Sequence, residues 1–409
     1  MKVLIHTDEY YPTAQACSYR MQVMADAFRK QGTEVTVVCS SANLENGNPE
    51  QRSEQIIYSP TIRMKKKTTV MRMLNNLSFG VTSVISSLKT GKVDLVITTS
   101  PPPLSSIPGW IIARLKGAIL VYDVRDIWPD VAVEMGSFAE GSLYYNVFRF
   151  IANFMYKHAD VITTVSSGKV KKIQEYVNDA DRKHKSRPSL EKVWLVGNGY
   201  DTEVESFPIN EELIQKYDLG KKFTCVYVGN IGLAQGLQVL LNVALDTRHK
   251  DVQFLIFGKG AEKEMLENLA REKKLDQVKF CGTLPHEDIY TLLKYSNLSF
   301  IPLKNANMKD SIPTKLYEAL GIGCPVLLVA EGDACTVLDE TKLGCHVSPA
   351  HPEQTVHVFD EMVDDYNSII RYREHAQKII HEKHTRQQIA HQFAVRVQKI
   401  INGEEAYND

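Results

Sequence analysis

Chemistry is most concentrated around position 315. The run Asp310-Ser311-Ile312-Pro313-Thr314-Lys315-Leu316-Tyr317-Glu318 sets two carboxylates eight positions apart with a lysine between them. Proline suits the first turn of a helix, where its missing N–H costs nothing, so a helix is expected near 314–321. Lys315 and Glu318 are three apart and share a face of that helix. One reading of the two is a surface ion pair. In the other, Lys315 and the backbone amides of 312–316, that of Leu316 included, meet phosphate oxygens while Glu318 receives the two hydroxyls of a ribose. Gly321-Ile322-Gly323-Cys324-Pro325 leads straight back into an apolar strand, which sets the helix beside a cleft. Lys304 follows Ile301-Pro302-Leu303 at a strand end, either as a solvated loop residue or as a second cation for the same anion.

Two glycine turns accompany this run. Gly229-Asn230-Ile231-Gly232-Leu233-Ala234-Gln235-Gly236 and Phe257-Gly258-Lys259-Gly260 each follow an expected strand and precede an expected helix. Glycine there admits close backbone approach and aims amides at an anion, although strand-to-helix turns use glycine anyway and neither run is a full GxGxxG. In the first half, Asp123-Val124-Arg125-Asp126-Ile127-Trp128-Pro129-Asp130 gathers three carboxylates and an arginine after an apolar strand. So many charges are costly to bury without partners, which favours a cleft floor over an internal ion-pair network. No metal-ligand spacing stands out. His351 and His357 lack it, and Asp179-Ala180-Asp181 falls in a polar stretch, 178–191, expected to be a solvated loop.

These sites need elements to carry them. Strands are expected at 2–6, 34–39, 56–59, 94–98, 118–123, 160–164 and 192–196, and again at 223–228, 252–257, 277–280, 297–301, 325–329 and 343–347. Helical patterns lie between them, and a long amphipathic tail runs from about 369 to 402. Near-continuous Val/Ile/Leu strands belong to parallel sheets covered on both faces. The expected fold is α/β: two Rossmann-like, doubly wound domains facing across a cleft, 1–200 and 201–385, with a helix and tail at 386–409 crossing back to the first.

Composition sets limits on function. The 409 residues are 44% hydrophobic and 24% charged, enough for two packed cores. The formal net charge of -1 excludes a generally basic nucleic-acid coat. It hides an asymmetry: residues 1–200 carry 25 basic and 18 acidic side chains, residues 201–409 carry 23 and 31. The seven cysteines form no CxxC pair and several sit in apolar runs, as reduced cytoplasmic core residues do. The opening apolar run meets Asp8 and Glu9 too soon for a secretory leader, and no stretch is long enough to span a bilayer.

Taken in order, Tyr11-Pro12, Arg20, Glu34-Val35-Thr36-Val37, the 123–130 run, Ala159-Asp160-Val161-Ile162-Thr163-Thr164-Val165-Ser166, Asn198-Gly199-Tyr200-Asp201, the two glycine turns and Pro313 through Glu318 resemble the family-4 retaining glycosyltransferases of the two-domain GT-B type. The nearest likeness is to the bacterial capsule and O-antigen branch that includes N-acetyl-L-fucosamine transferases. That resemblance implies a UDP-sugar donor held by the second domain, with no tightly bound cofactor and no metal. It implies that Glu318 binds the donor ribose, that Asp310, where glutamate is usual, faces the sugar, and that Gly229, Gly258 and Gly260 approach the diphosphate. A basic pair is often found where this chain has Asn230 and Gln235. Lys304, Lys315 and the helix amides would then stabilise the leaving group. In the first domain Arg125, where histidine is common, would position the donor sugar, and Asp126 would orient the acceptor.

The acceptor implied is a saccharide on undecaprenyl diphosphate. Residues 61–92 hold Arg63, Lys65, Lys66, Lys67, Arg72, Lys89 and Lys92 among apolar residues without one Asp or Glu, and an apolar-aromatic stretch spans 143–157. Such a surface suits an anionic membrane, so the expectation is a cytoplasmic protein held peripherally at the inner face of the cell membrane, with no nucleic-acid partner. A UDP-sugar epimerase of the same fold and a non-catalytic partner subunit are the alternatives.

Overall fold

Alternation along β1 (Lys2–His6) decides the layering of the first half: Val3 and Ile5 face one core, Leu4 the other, so both sides of the sheet need cover. The computed structural model describes residues 1–13, 15–46, 52–62, 69–184 and 192–404. By compactness these form two units, Met1–Gly197 with Gln387–Asp409, and Asn198–Arg386.

The first unit adds β2 (Glu34–Ser40), β3 (Gln55–Ser59), β4 (Leu95–Ser100), β5 (Ile119–Val124), β6 (Val161–Thr164) and β7 (Val193–Leu195). All pair in parallel in the order β3-β2-β1-β4-β5-β6-β7. Strand order reverses between β1 and β4, and the crevice outside the carboxyl ends of such a switch point is where doubly wound sheets bind ligands. Helix α1 (Ala16–Lys30) covers one face through Met21, Met24 and Phe28. Helices α2 (Thr69–Ser87), α3 (Ser106–Lys116), the short α4 (Asp130–Glu134), α5 (Leu143–His158) and α6 (Ser167–His184) follow. Of these, α2, α3, α5 and α6 pack side by side on the other face. The polar stretch from 178 to 184 is the end of α6 rather than loop. It holds neither Gly nor Pro, so nothing in it breaks the helix. Residues 185–191 lie outside the described residues, as do Arg63, Lys65, Lys66 and Lys67 and the side chain of Arg72.

The second unit opens with a helix the sequence pattern does not reveal, α7 (Glu211–Tyr217), capped by Asn210, whose side chain accepts from the Leu213 amide at 3.0 Å. Its sheet is β8 (Thr224–Val228), β9 (Gln253–Phe257), β10 (Val278–Gly282), β11 (Leu298–Pro302), β12 (Val326–Val329) and β13 (Gly344–Val347). These too are parallel, in the order β10-β9-β8-β11-β12-β13, which reverses between β8 and β11. Helices α8 (Gln238–Asp246), α9 (Lys263–Glu272), α10 (Ile289–Tyr295), α11 (Thr314–Ile322), α12 (Asp333–Thr341), α13 (Gln354–Asp364), α14 (Tyr366–Ile370) and α15 (Arg373–Lys383) cover it. Last comes α16 (Arg386–Ile401), whose Phe393 meets Phe28 and Trp194 edge-on at 5.9 and 6.3 Å within the first unit.

One sequence expectation is overturned here. Asp123 is no cleft floor: it is fully buried at the end of β5 and clamped by Arg20, with Nε to Oδ2 at 3.1 Å and Nη2 to Oδ1 at 2.7 Å. Thr99 and Thr163 hydroxyls donate to the same carboxylate at 3.0 and 2.7 Å. Arg20 spends its other donors on the carbonyls of Gly197 and Val196. Every charge has a partner, which is the condition for burying it. Asp130 is likewise a brace, shared by Arg149, Lys172 and the Tyr176 hydroxyl. Asp123→Ala strands the Arg20 guanidinium and is expected to cost the first unit about 3–5 kcal/mol. An unchanged thermal unfolding midpoint would refute that brace.

Candidate functional site

The switch point of the second sheet carries the residues around position 315. Gly229 follows β8 with φ of 143°, and its amide donates to the Phe257 carbonyl at 2.9 Å. The two glycine turns lie backbone against backbone. A Cβ on Gly258 would stand 1.8 Å from the Gly229 oxygen, and one on Gly260 would stand 2.1 Å from the Ile231 oxygen. The glycines are therefore required by the packing of the two loops, whatever else they meet. Across the reversal, Lys304 follows β11 and its amide donates to the Ala234 carbonyl at 3.0 Å, while its side chain is exposed.

Lys315 reaches into this turn from the first turn of α11. Its Nζ lies 3.3 Å from where a Gly229 Cβ would be, donates to Gln235 Oε1 at 3.0 Å and sits 4.1 Å from the centre of the Tyr227 ring. The Tyr227 hydroxyl in turn donates to the Asn230 carbonyl at 2.6 Å. Burial pushes the Lys315 ammonium down to about 7, against the pull of Glu318. A cation held by a neutral amide and a ring face, at a glycine turn, is suited to an incoming anion.

Glu318, one turn on, is engaged elsewhere. Its Oε1 accepts from Arg386 Nη2 at 3.4 Å, while Arg386 also pairs with Asp201 at 3.3 Å and donates from Nε to the Gly199 carbonyl at 3.1 Å. Arg386 thus aims Glu318 and ties down the 199–201 segment; only the tertiary structure reveals it. Pro313 is the N-cap of α11, just outside the first turn, and Asp310 is half-buried in the loop before it. Leu316 is a core residue: its side chain is fully buried and its amide donates to the Pro313 carbonyl at 3.0 Å.

In the first unit, the strand ends at the β1/β4 reversal hold a second charged group. Arg125 donates from Nε to Thr99 Oγ1 at 3.1 Å and to the Pro101 carbonyl. Asp126 is paired with Lys169 at 2.9 Å. Burial alone would raise its pKa, but Lys169 and Arg125 hold it below the usual carboxylate range. Asp8 and Glu9, just past β1, were not singled out by spacing. Burial and the neighbouring Glu9 push Asp8 up to about 7 against Arg125, and its Oδ1 is buried without a hydrogen-bond partner. With its amide nitrogen turned toward Glu9, Gln15 donates to both carboxylate oxygens at 2.7 and 3.2 Å. The signal in the sequence is two acids directly after a buried strand. Among the described residues, no group of three or more His, Cys, Asp or Glu is arranged to hold a metal ion.

Comparison with known proteins gives this geometry a family. The model for a glycosyl transferase 4-like domain matches residues 17–184, and that for glycosyl transferases group 1 matches 209–380. The probable glycosyltransferase WbjE of Pseudomonas aeruginosa is 23% identical over 69% of each chain. The putative colanic acid biosynthesis glycosyl transferase WcaI of Escherichia coli is 24% identical over 81% of this chain and 84% of its own. Among solved structures, sucrose-phosphate synthase from Thermosynechococcus elongatus superposes with a TM-score of 0.79 at 16% identity, covering 98% of this chain and 99% of that one. Anabaena HepE in complex with UDP and glucose superposes with a TM-score of 0.72 at 15% identity, over 98% and 100%. With glycosyl transferase models matching 17–184 and 209–380 in turn, and two parallel α/β units folded as in these solved structures, the chain belongs to the family-4 glycosyltransferases of the GT-B fold.

Proposed function

We propose that this chain is a retaining, UDP-sugar-dependent glycosyltransferase that moves an N-acetylated sugar onto a lipid-diphosphate-linked saccharide in capsule or O-antigen assembly. The observation that carries the reading is the Lys315 ammonium beside Gly229, at the switch point of the second sheet. In this reading the donor diphosphate lies over the turns at Gly229, Gly258 and Gly260. Lys315, steadied by Gln235, meets its oxygens, with Asn230 at the turn and the exposed Lys304 as a second cation. Glu318, aimed by Arg386, takes the ribose hydroxyls, and Asp310 faces the sugar.

The acceptor belongs to the first unit. Asp126 already has a cation in Lys169, and Asp8 keeps one buried oxygen without a hydrogen-bond partner, so Asp8 and Glu9 join Arg125 and Asp126 as the groups that orient the acceptor. The acceptor hydroxyl attacks the anomeric carbon on the face the diphosphate leaves. The bond from that carbon to the phosphate oxygen breaks, and the proton passes to the diphosphate. Charge grows on the leaving group, and preorganised positive charge is what lowers that barrier. HepE was solved with UDP, WcaI is named for colanic acid biosynthesis, and a further neighbour of this fold, WaaG, is described as involved in lipopolysaccharide biosynthesis; these support the donor and pathway class.

Release of UDP that requires a polyprenyl-diphosphate saccharide is the expected result. Turnover without acceptor would point to an epimerase, and silence with a full acceptor panel to a non-catalytic subunit. Glu318→Ala should weaken UDP binding by roughly 1–2 kcal/mol, about five- to thirtyfold. Calorimetry showing equal affinities for UDP would reject the ribose role.

The diphosphate binds the ammonium form of Lys315, so UDP affinity should be full below about pH 7 and fall as the pH rises through it. The last ionisation of UDP, at about 6, acts in the opposite direction and is complete by then. Titrations from pH 7 to 9 should show this fall in the natural chain and a flat profile in Lys315→Ala. Asp8→Asn should slow transfer by about tenfold at unchanged UDP affinity, as expected for a group acting on the acceptor alone. Loss of both together would mark a folding defect.

A further inference from the structure

Helix α2 is built inside out. Every exposed side chain described on it is apolar: Leu74, Leu77, Val81 and Ile85 are 43 to 65% exposed. Their spacings of three, four and four put them in one stripe about 80° wide along the helix. Part of the inner side is polar, and Asn76, Ser78, Thr82 and Ser86 are half-buried. Asn75, Ser83 and Ser87 are buried, Ser83 bonded to His6 at 2.9 Å and to the Gly80 carbonyl at 3.1 Å. A solvent-facing helix has the opposite arrangement, so α2 is patterned for an apolar environment on its outer side.

The pattern extends beyond α2. In α5 the inner face packs through Ile151, Met155 and Tyr156, yet Leu143, Val147 and Phe150, one face of the same helix, are 77, 45 and 71% exposed. Between the two helices lies α3, which ends in exposed Arg114 and Leu115. The sequences of α2, α3 and α5 contain no Asp or Glu at all, while Lys89, Lys92, Arg114 and Lys157 are exposed on them or at their ends. Exposed Glu140 precedes α5, yet an apolar surface whose helices themselves carry only positive charge matches one partner in particular, the headgroup region of an anionic bilayer.

We infer that the outer surface of the α2–α3–α5 layer is the face by which this protein lies on an anionic membrane. Val81, Ile85, Leu143 and Phe150 enter the boundary of headgroups and acyl chains, and Lys89, Lys92 and Arg114 meet the lipid phosphates. The surface deepens the lipid-linked acceptor reading above, on which its purpose rests, but vesicle binding needs neither donor nor acceptor, so the two can fail separately.

The test is co-sedimentation of the full chain with vesicles of phosphatidylcholine alone and of phosphatidylcholine with about 30% phosphatidylglycerol, at low and high salt. Binding to the anionic vesicles that weakens with salt is expected. Val81→Glu with Ile85→Glu should lower it at least about tenfold, as should Lys89→Glu with Lys92→Glu. Met265→Glu, an exposed apolar position in the second unit, should leave it unchanged. All these positions are exposed, and an unaltered unfolding midpoint confirms that each variant folds. Absence of binding, equal binding to both vesicles, or binding indifferent to the 81/85 pair would overturn the assignment. So would a dimer seen by light scattering that the 81/85 pair dissolves while vesicles remain unbound, which would give the face to a second copy.

Discussion

A lysine ammonium brought out of bulk water beside a glycine turn is the interaction on which the second unit's chemistry depends. Gly229 has no side chain to keep Lys315 away, and Gln235 and the Tyr227 ring fix the ammonium without neutralising it. Were Gln235 a second cation, the two charges would lie 3 Å apart in a poorly solvated turn and repel. The uncharged residues at 230 and 235 are thus consistent with a single cation delivered from α11. Gly258 and Gly260 serve the same arrangement one layer down, letting the β9 loop lie against the β8 loop.

Charge in the first unit follows a different logic. Asp123 and Asp130 are saturated by arginine, lysine and hydroxyl partners and hold elements together. Asp126 is half committed, through Lys169. Asp8, whose buried Oδ1 has no hydrogen-bond partner, and Glu9 both feel the Arg125 charge at the point where the sheet reverses. A carboxylate whose bonds are all made braces the fold, and one with an unpartnered oxygen is left for another role.

The outer helices add a third constraint. Sheet geometry asks α2, α3 and α5 only to cover the inner face, and they do so with Val84, Ile112, Met155 and their neighbours. Nothing in that task calls for leucine, valine and isoleucine on the outside and serine on the inside of α2. The inversion belongs to the surroundings of the protein rather than to its core.

The sequence by itself determined the two doubly wound sheets, since strands buried on both faces must be near-continuous Val, Ile and Leu, and since helices of period 3.6 return between them. It also marked the glycine turns and the run from Asp310 to Glu318, whose members are close enough along the chain to show their spacing. Tertiary structure alone decided what each charge is for. Arg20 lies 103 positions from Asp123, and Arg386 lies 185 positions from Asp201. A side chain's role as brace or site depends on whether a distant partner satisfies it, and no local pattern records that pairing.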